Sequence, residues 1–293
     1  MLGKLIKNDF KSLSRILLPT QLAILGATLI ASLGFTFNMR TNIGNIENTG
    51  MQILRIITGI MSGIMVLAIF AAAFLVAFII FYRFYKSCMC DEGYLTFTLP
   101  VTTGRILWSK FITAMLWTLI SAVVVIICGF LFMIIGTADH GIINTEMLSD
   151  MSRIFGEVGG MFGGRIAFPI FEAVVMILLG IAFGIFHVFL SLIIGGVISK
   201  KHKLLAGIGF YFIINIVVGV LSSVGQVLVG SAYVNSVNSV SGIAVPLSNV
   251  QVFDLLVSGA QPFVIYYMVL TIAMTALFFA LSHYFLKNKL NLE

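Results

Sequence analysis

Charge is what this sequence has least of. Only 10% of its 293 residues are Asp, Glu, Lys or Arg, and 60% are hydrophobic, whereas an ordinary soluble domain carries about 25% charged residues. A chain with so little polar surface cannot cover itself in water, which excludes a soluble globular fold. Catalytic signatures are missing as well. No stretch reads GxxxxGK(S/T), and neither H-E-x-x-H nor G-x-S-x-G occurs. The four histidines, His140, His187, His202 and His283, are dispersed, so no clustered nucleophile and base can be assembled. Cysteine is scarce too. Cys88 and Cys90 form a C-x-C pair without a second pair or a neighbouring histidine, and Cys128 stands alone, which supports neither a zinc site nor a disulfide framework.

What the sequence does have is long apolar runs. A helix needs about 20 apolar residues to cross a hydrocarbon layer of about 30 Å. Six runs approach or exceed that length: Ile16–Phe37, Ile57–Phe81, Ile106–Ile135, Ala167–Ile198, Leu204–Val229 and Phe263–Leu286. They lack the short alternating stretches of a β-barrel, so the expected fold is all-α, a single six-span transmembrane domain over 1–293. Residues 1–15 place Leu2, Leu5, Ile6, Phe10 and Leu13 roughly on one helical face with lysines elsewhere, the pattern of an amphipathic interfacial helix, with a disordered basic leader as the alternative. The apolar run after them is too long for a cleavable signal.

Basic residues give the runs a direction. Lys4, Lys7, Lys11 and Arg15 precede the first span; Arg83, Lys86, Arg105 and Lys110 flank the second connection. Lys200, Lys201 and Lys203 lie between spans four and five, and Lys287 and Lys289 follow span six. Thirteen of the seventeen Lys and Arg residues thus share one side, which the positive-inside rule makes cytoplasmic, together with both termini. The other side receives the Asn-, Gly- and Thr-rich residues 38–55, the acidic loop 136–166 with a short helix expected at Asp150–Val158, and the loop 230–260 with its amphipathic Gln251–Gly259 stretch.

Two ionisable residues fall inside a span, where they are costly and often functional. Glu172 and His187 are both in the fourth run and form a candidate intramembrane polar site. The histidine is open to two readings, a neutral ring hydrogen-bonded in the bundle or a group on a translocation path. No metal site is expected.

The cytoplasmic segment 83–105 is the most distinctive. Phe81, Tyr82, Phe84 and Tyr85 surround Arg83 and Lys86 at the inner face, Asp91 and Glu92 suit the start of a short helix, and Pro100 ends it. An inner loop folded back on the bundle and a surface for a partner both fit these residues. The phrase DEGYLTFTLPVTTGRILWSK resembles the segment after the second span in ATP-binding-cassette permeases of the type-two exporter class, especially their small Gram-positive group, through Asp91, Glu92, Gly93, Tyr94, Leu95, Phe97, Thr98, Leu99, Pro100, Ser109 and Lys110.

The resemblance implies a permease subunit of an ATP-driven exporter in a bacterial plasma membrane. It implies that Asp91 to Pro100 form a coupling segment docking on a separate cytoplasmic ATPase, with Ser199, Lys200 and Lys201 as a candidate secondary contact. ATP and Mg would belong to that ATPase, this chain binding no cofactor and catalysing nothing. A second permease subunit, identical or related, would complete the path, in contact with membrane lipid and with no nucleic acid. The rival expectation is a non-transporting assembly, immunity or regulatory membrane protein.

The orientation is checked by cysteine labelling in intact cells. A cysteine placed at Thr145 is expected to react with a membrane-impermeant maleimide, and one placed at Lys201 only after permeabilisation. Labelling of the second in intact cells would reverse the topology.

Overall fold

The computed structural model describes residues 2–43, 49–90, 92–94, 98, 100–136, 149, 152–153, 156–157, 159–160, 163–199, 201–240 and 249–288. Among them there is no strand. The long elements are α1 (Leu2–Ile43), α2 (Thr49–Met89), α3 (Thr103–Gly136), α4 (Ala167–Ile198), α5 (Lys203–Val240) and α6 (Asn249–Asn288), with a 3-10 turn at Gly163–Ile166 before α4. Five stretches, Leu2–Thr36, Thr103–Ile135, Gly163–Ile198, Lys203–Ser231 and Val257–Asn288, are long and apolar enough to cross a membrane. The protein is therefore all-helical and of membrane type.

Helices suit these sequences because every main-chain N–H and C=O is then satisfied within the segment. Hydroxyls follow the same rule by bonding back along their own helix. Thr28 Oγ1 donates to the Ile24 carbonyl (2.8 Å), Thr118 to Ala114 (2.8 Å), Ser191 to His187 (2.7 Å) and Thr275 to Thr271 (2.6 Å). Large apolar side chains are left exposed along α5, among them Phe212, Ile216, Val220, Val224 and Val227. Their spacing makes one continuous stripe, the surface a helix offers to lipid.

The elements run past the expected spans. Residues 2–15 are helical and continue without a break into the first span, so α1 is one 42-residue rod that carries Pro19 inside it. Thr20 Oγ1 supplies extra hydrogen bonds at that turn, to the carbonyls of Leu17 (2.8 Å) and Ile16 (3.3 Å). The amphipathic Gln251–Gly259 stretch belongs to α6, which also continues through Pro262. Most of 136–166, including half of the short helix expected at Asp150–Val158, lies outside the described residues.

The chain divides into two compact units. The first holds α1, α2 up to Arg83 and α3 from Ile112. Here α1 and α3 run in the same direction. Phe10 stacks on Trp117 with ring centroids 4.8 Å apart, Gln21 Nε2 donates to Ser121 Oγ (2.6 Å), and Thr36 Oγ1 donates to the Ile135 carbonyl (2.6 Å). Increasing numbers pair with increasing numbers, which makes the two helices parallel.

The second unit holds Phe84–Phe111 and everything from Glu157. In it α4 packs on both α5 and α6, which also touch each other. Rings on α4 meet α6 in matching order: Phe183 with Phe278 (5.5 Å) and Phe186 with Phe279 (5.6 Å), so these two helices are parallel. Helix α5 is antiparallel to both. At one end a Cβ on Gly195 would collide with the backbone of Gly207, and at the other Tyr266 lies over Gly225 and donates its hydroxyl to the Leu221 carbonyl (3.1 Å). Tyr266, whose place near the end of its span suggests an interfacial anchor, is thus engaged between helices.

Glycine at 195 is a packing requirement. Gly195→Ala is expected to cost about 1–3 kcal/mol through overpacking. Gly209→Ala, which meets open space, should be neutral or stabilise by about 0.5–1 kcal/mol. Thermal unfolding of the two variants in detergent checks this, and equal midpoints would refute the close approach of α4 and α5.

Candidate functional site

The last turn of α2 is tightly held within the second unit. Phe84 stacks on Phe189 of α4 at 3.6 Å, and Ser87, Cys88 and Met89 are buried. The Met89 side chain fills the space that glycine leaves at 196, where a Cβ would come within 2.7 Å of its sulfur. Lys203, the first residue of α5, places its ammonium 3.2 Å from the Met89 carbonyl. A cation at a helix C-terminus satisfies one of the carbonyls that the helix cannot pair and complements its dipole.

Beyond Met89 the chain turns sharply, Gly93 N–H bonding the Cys90 carbonyl (2.7 Å), and Glu92–Tyr94 form one helical turn. Thr98 N–H returns to the Tyr94 carbonyl (3.1 Å). At the far end the Thr102 carbonyl accepts from Arg105 and Ile106, opening α3. There Thr103 Oγ1 lies 3.4 Å from His283 Nδ1 near the end of α6, and Gly104 leaves room for the same ring. The segment is therefore fastened at both ends, to α4 and α5 through Met89 and to α6 through Thr103.

Between the fastenings it presents Tyr94, 64% exposed, with exposed Thr98 and Pro100. Gly93 is buried. Glu92 pairs with Lys86 (3.5 Å), both well solvated, an interaction worth about 0–1 kcal/mol. Asp91, Leu95, Phe97 and Leu99 lie outside the described residues, as does Lys200. Ser199 is a turn residue: its N–H caps α4 on the Gly195 carbonyl (3.0 Å), and its Oγ accepts from His202 N–H (3.1 Å). Lys201 is exposed. The end of α2 and the start of α5 thus meet at one end of one unit, through Met89, Gly196 and Lys203.

Glu172 and His187 are not brought together. They are separated along α4 by about 22 Å of helical rise. His187 is buried, stacked on Tyr211 (4.6 Å) with Phe183 and Phe278 beside it, and its Nε2 has no hydrogen-bond partner among the described residues. Glu172 accepts from Gln261 Nε2 of α6 at 2.9 Å. Sequence reasoning missed Gln261, His283 and the latch made by Lys203. A lone amide close to an apolar run was the available signal for the first. Among the described residues no group of three or more His, Cys, Asp or Glu side chains could hold a metal, and none of the three cysteines is in a disulfide.

Lys203→Met removes the charged donor from the Met89 carbonyl, a loss of about 1 kcal/mol or more. Chymotryptic cleavage after Tyr94 should then accelerate about fivefold or more, with Lys201→Met unchanged. Equal cleavage of both variants would show that the latch does not hold the segment. No family model, no curated protein and no solved structure matches the chain.

Proposed function

We propose that this chain is the transmembrane permease subunit of an ATP-driven exporter, multi-pass with six spans in a bacterial plasma membrane, whose segment 91–100 couples it to a separate ATPase. The observation that carries the reading is Tyr94. A large aromatic residue, mostly exposed, stands on a segment fastened at both ends to the ends of α4, α5 and α6. Exposed aromatics on a pre-organised backbone are effective anchors, because little freedom is lost when a partner closes over them. Force applied there passes directly into three helices that pack on each other.

The sequence resemblance supplies the partner's chemistry. An ATPase that closes on nucleotide would draw Tyr94 and its neighbours with it, and the latches at Met89 and Thr103 would carry the movement to the helix ends. Phosphate chemistry stays on the ATPase. The path lies in this chain and a second permease subunit.

The test is affinity capture from native membranes in mild detergent, with identification of bound proteins and assay of their ATPase activity. Wild type should retain a P-loop ATPase, and Tyr94→Ala should lose most of it while staying monodisperse. Capture of no ATPase by a well-folded wild type would remove the motor and favour a regulatory or assembly role.

A further inference from the structure

Glu172 and Gln261 form the polar part of a pocket. Its volume is about 210 Å³, and its other walls are Pro169, Ala173 and Met176 of α4 with Val257, Ala260 and Val264 of α6. Gln261 is the carboxylate's hydrogen-bond partner among the described residues, and no Lys or Arg is paired with it there. The amide nitrogen of Gln261 is the atom facing the carboxyl oxygen, to which it donates at 2.9 Å. That orientation turns the Gln261 carbonyl oxygen away and leaves it free to accept. Two unused acceptors, one of them a carboxyl oxygen, thus stand beside an otherwise apolar cavity.

We propose that this pocket binds the primary ammonium group of an amphipathic amine. Glu172 supplies the charge, the free oxygens of Glu172 and Gln261 accept N–H bonds, and Met176, Val257 and Val264 take the apolar stem. A primary ammonium has three donors to offer. Calcium or magnesium would ask for six or more oxygens, twice what the two side chains contain. A quaternary ammonium has no N–H and is recognised by aromatic cages, and no aromatic residue lines this pocket. An anion would meet the carboxylate. The residues leading into α4 agree in sign, since 137–166 carry four acidic residues, Asp139, Glu146, Asp150 and Glu157, against Arg153 and Arg165.

The inference deepens the permease reading by naming the class of its cargo, and it rests on that reading for the word cargo alone. The binding itself needs no ATPase. It is measured on the full chain in nanodiscs of zwitterionic lipid, with radiolabelled octylammonium and subtraction of empty nanodiscs. Wild type should show a saturable component. Glu172→Gln, which keeps the shape and removes the charge, should weaken it at least tenfold. Ala260→Phe, which takes up pocket volume and leaves both members of the pair in place, should do the same. Octyltrimethylammonium should compete at least tenfold less well, and sodium not at all.

Absence of a saturable component, undiminished binding by Glu172→Gln, or equal competition by the quaternary amine would overturn the site. A captured ATPase without amine binding removes the pocket and leaves the permease. Amine binding without a captured ATPase keeps the pocket and removes the motor.

Discussion

Hydrocarbon offers no hydrogen bonds, and the organisation of this protein follows from that single deficiency. Main-chain groups must be satisfied within each segment, which makes every long element a helix. Side-chain hydroxyls turn back to the carbonyl one turn earlier, as at Thr28, Thr118 and Ser191. Apolar surface need not be hidden, so α5 can leave a full stripe of large residues outside. With no water to expel between helices, specificity has to come from close fit and from a few polar contacts.

Close fit is concentrated on α4. Gly195 lets α5 approach to backbone contact, Gly196 admits Met89 from the end of α2, and a ladder of rings joins it to α6. Polar contacts lie at helix ends, with Lys203 on the Met89 carbonyl and Thr103 against His283, and also further in, with Gln261 on Glu172 and Gln21 on Ser121. Function in the proposed reading draws on both groups, since Gly195, Gly196 and Met89 sit at the same helix ends as Lys203.

Much of this was legible in the chain, and the rest was hidden for definite reasons. Run length alone located Ala167–Ile198, whose bounds coincide with α4. It underestimated α1, α2, α5 and α6, because helix does not stop where lipid stops and the polar flanks still propagate it. Nothing in the sequence says that Gly195 faces a helix backbone and Gly196 a methionine. Glu172 stood out as an acid in an apolar run. Its partner lies 89 residues away and the partner of Lys203 lies 114 away, and no periodicity within one helix can reveal a pairing between two.

The segment between Met89 and Thr103 is clamped at each end to different helices, and a clamped strip has a geometry of its own. The distance between its two anchorages, Met89 beside α4 and α5 and Thr103 beside α6, belongs to the bundle. Whatever binds the segment more tightly at one such distance favours it, and whatever changes the distance from within alters that binding. By reciprocity the two effects are equal in free energy, so the same short strip would serve as a gauge of the bundle as well as a handle on it.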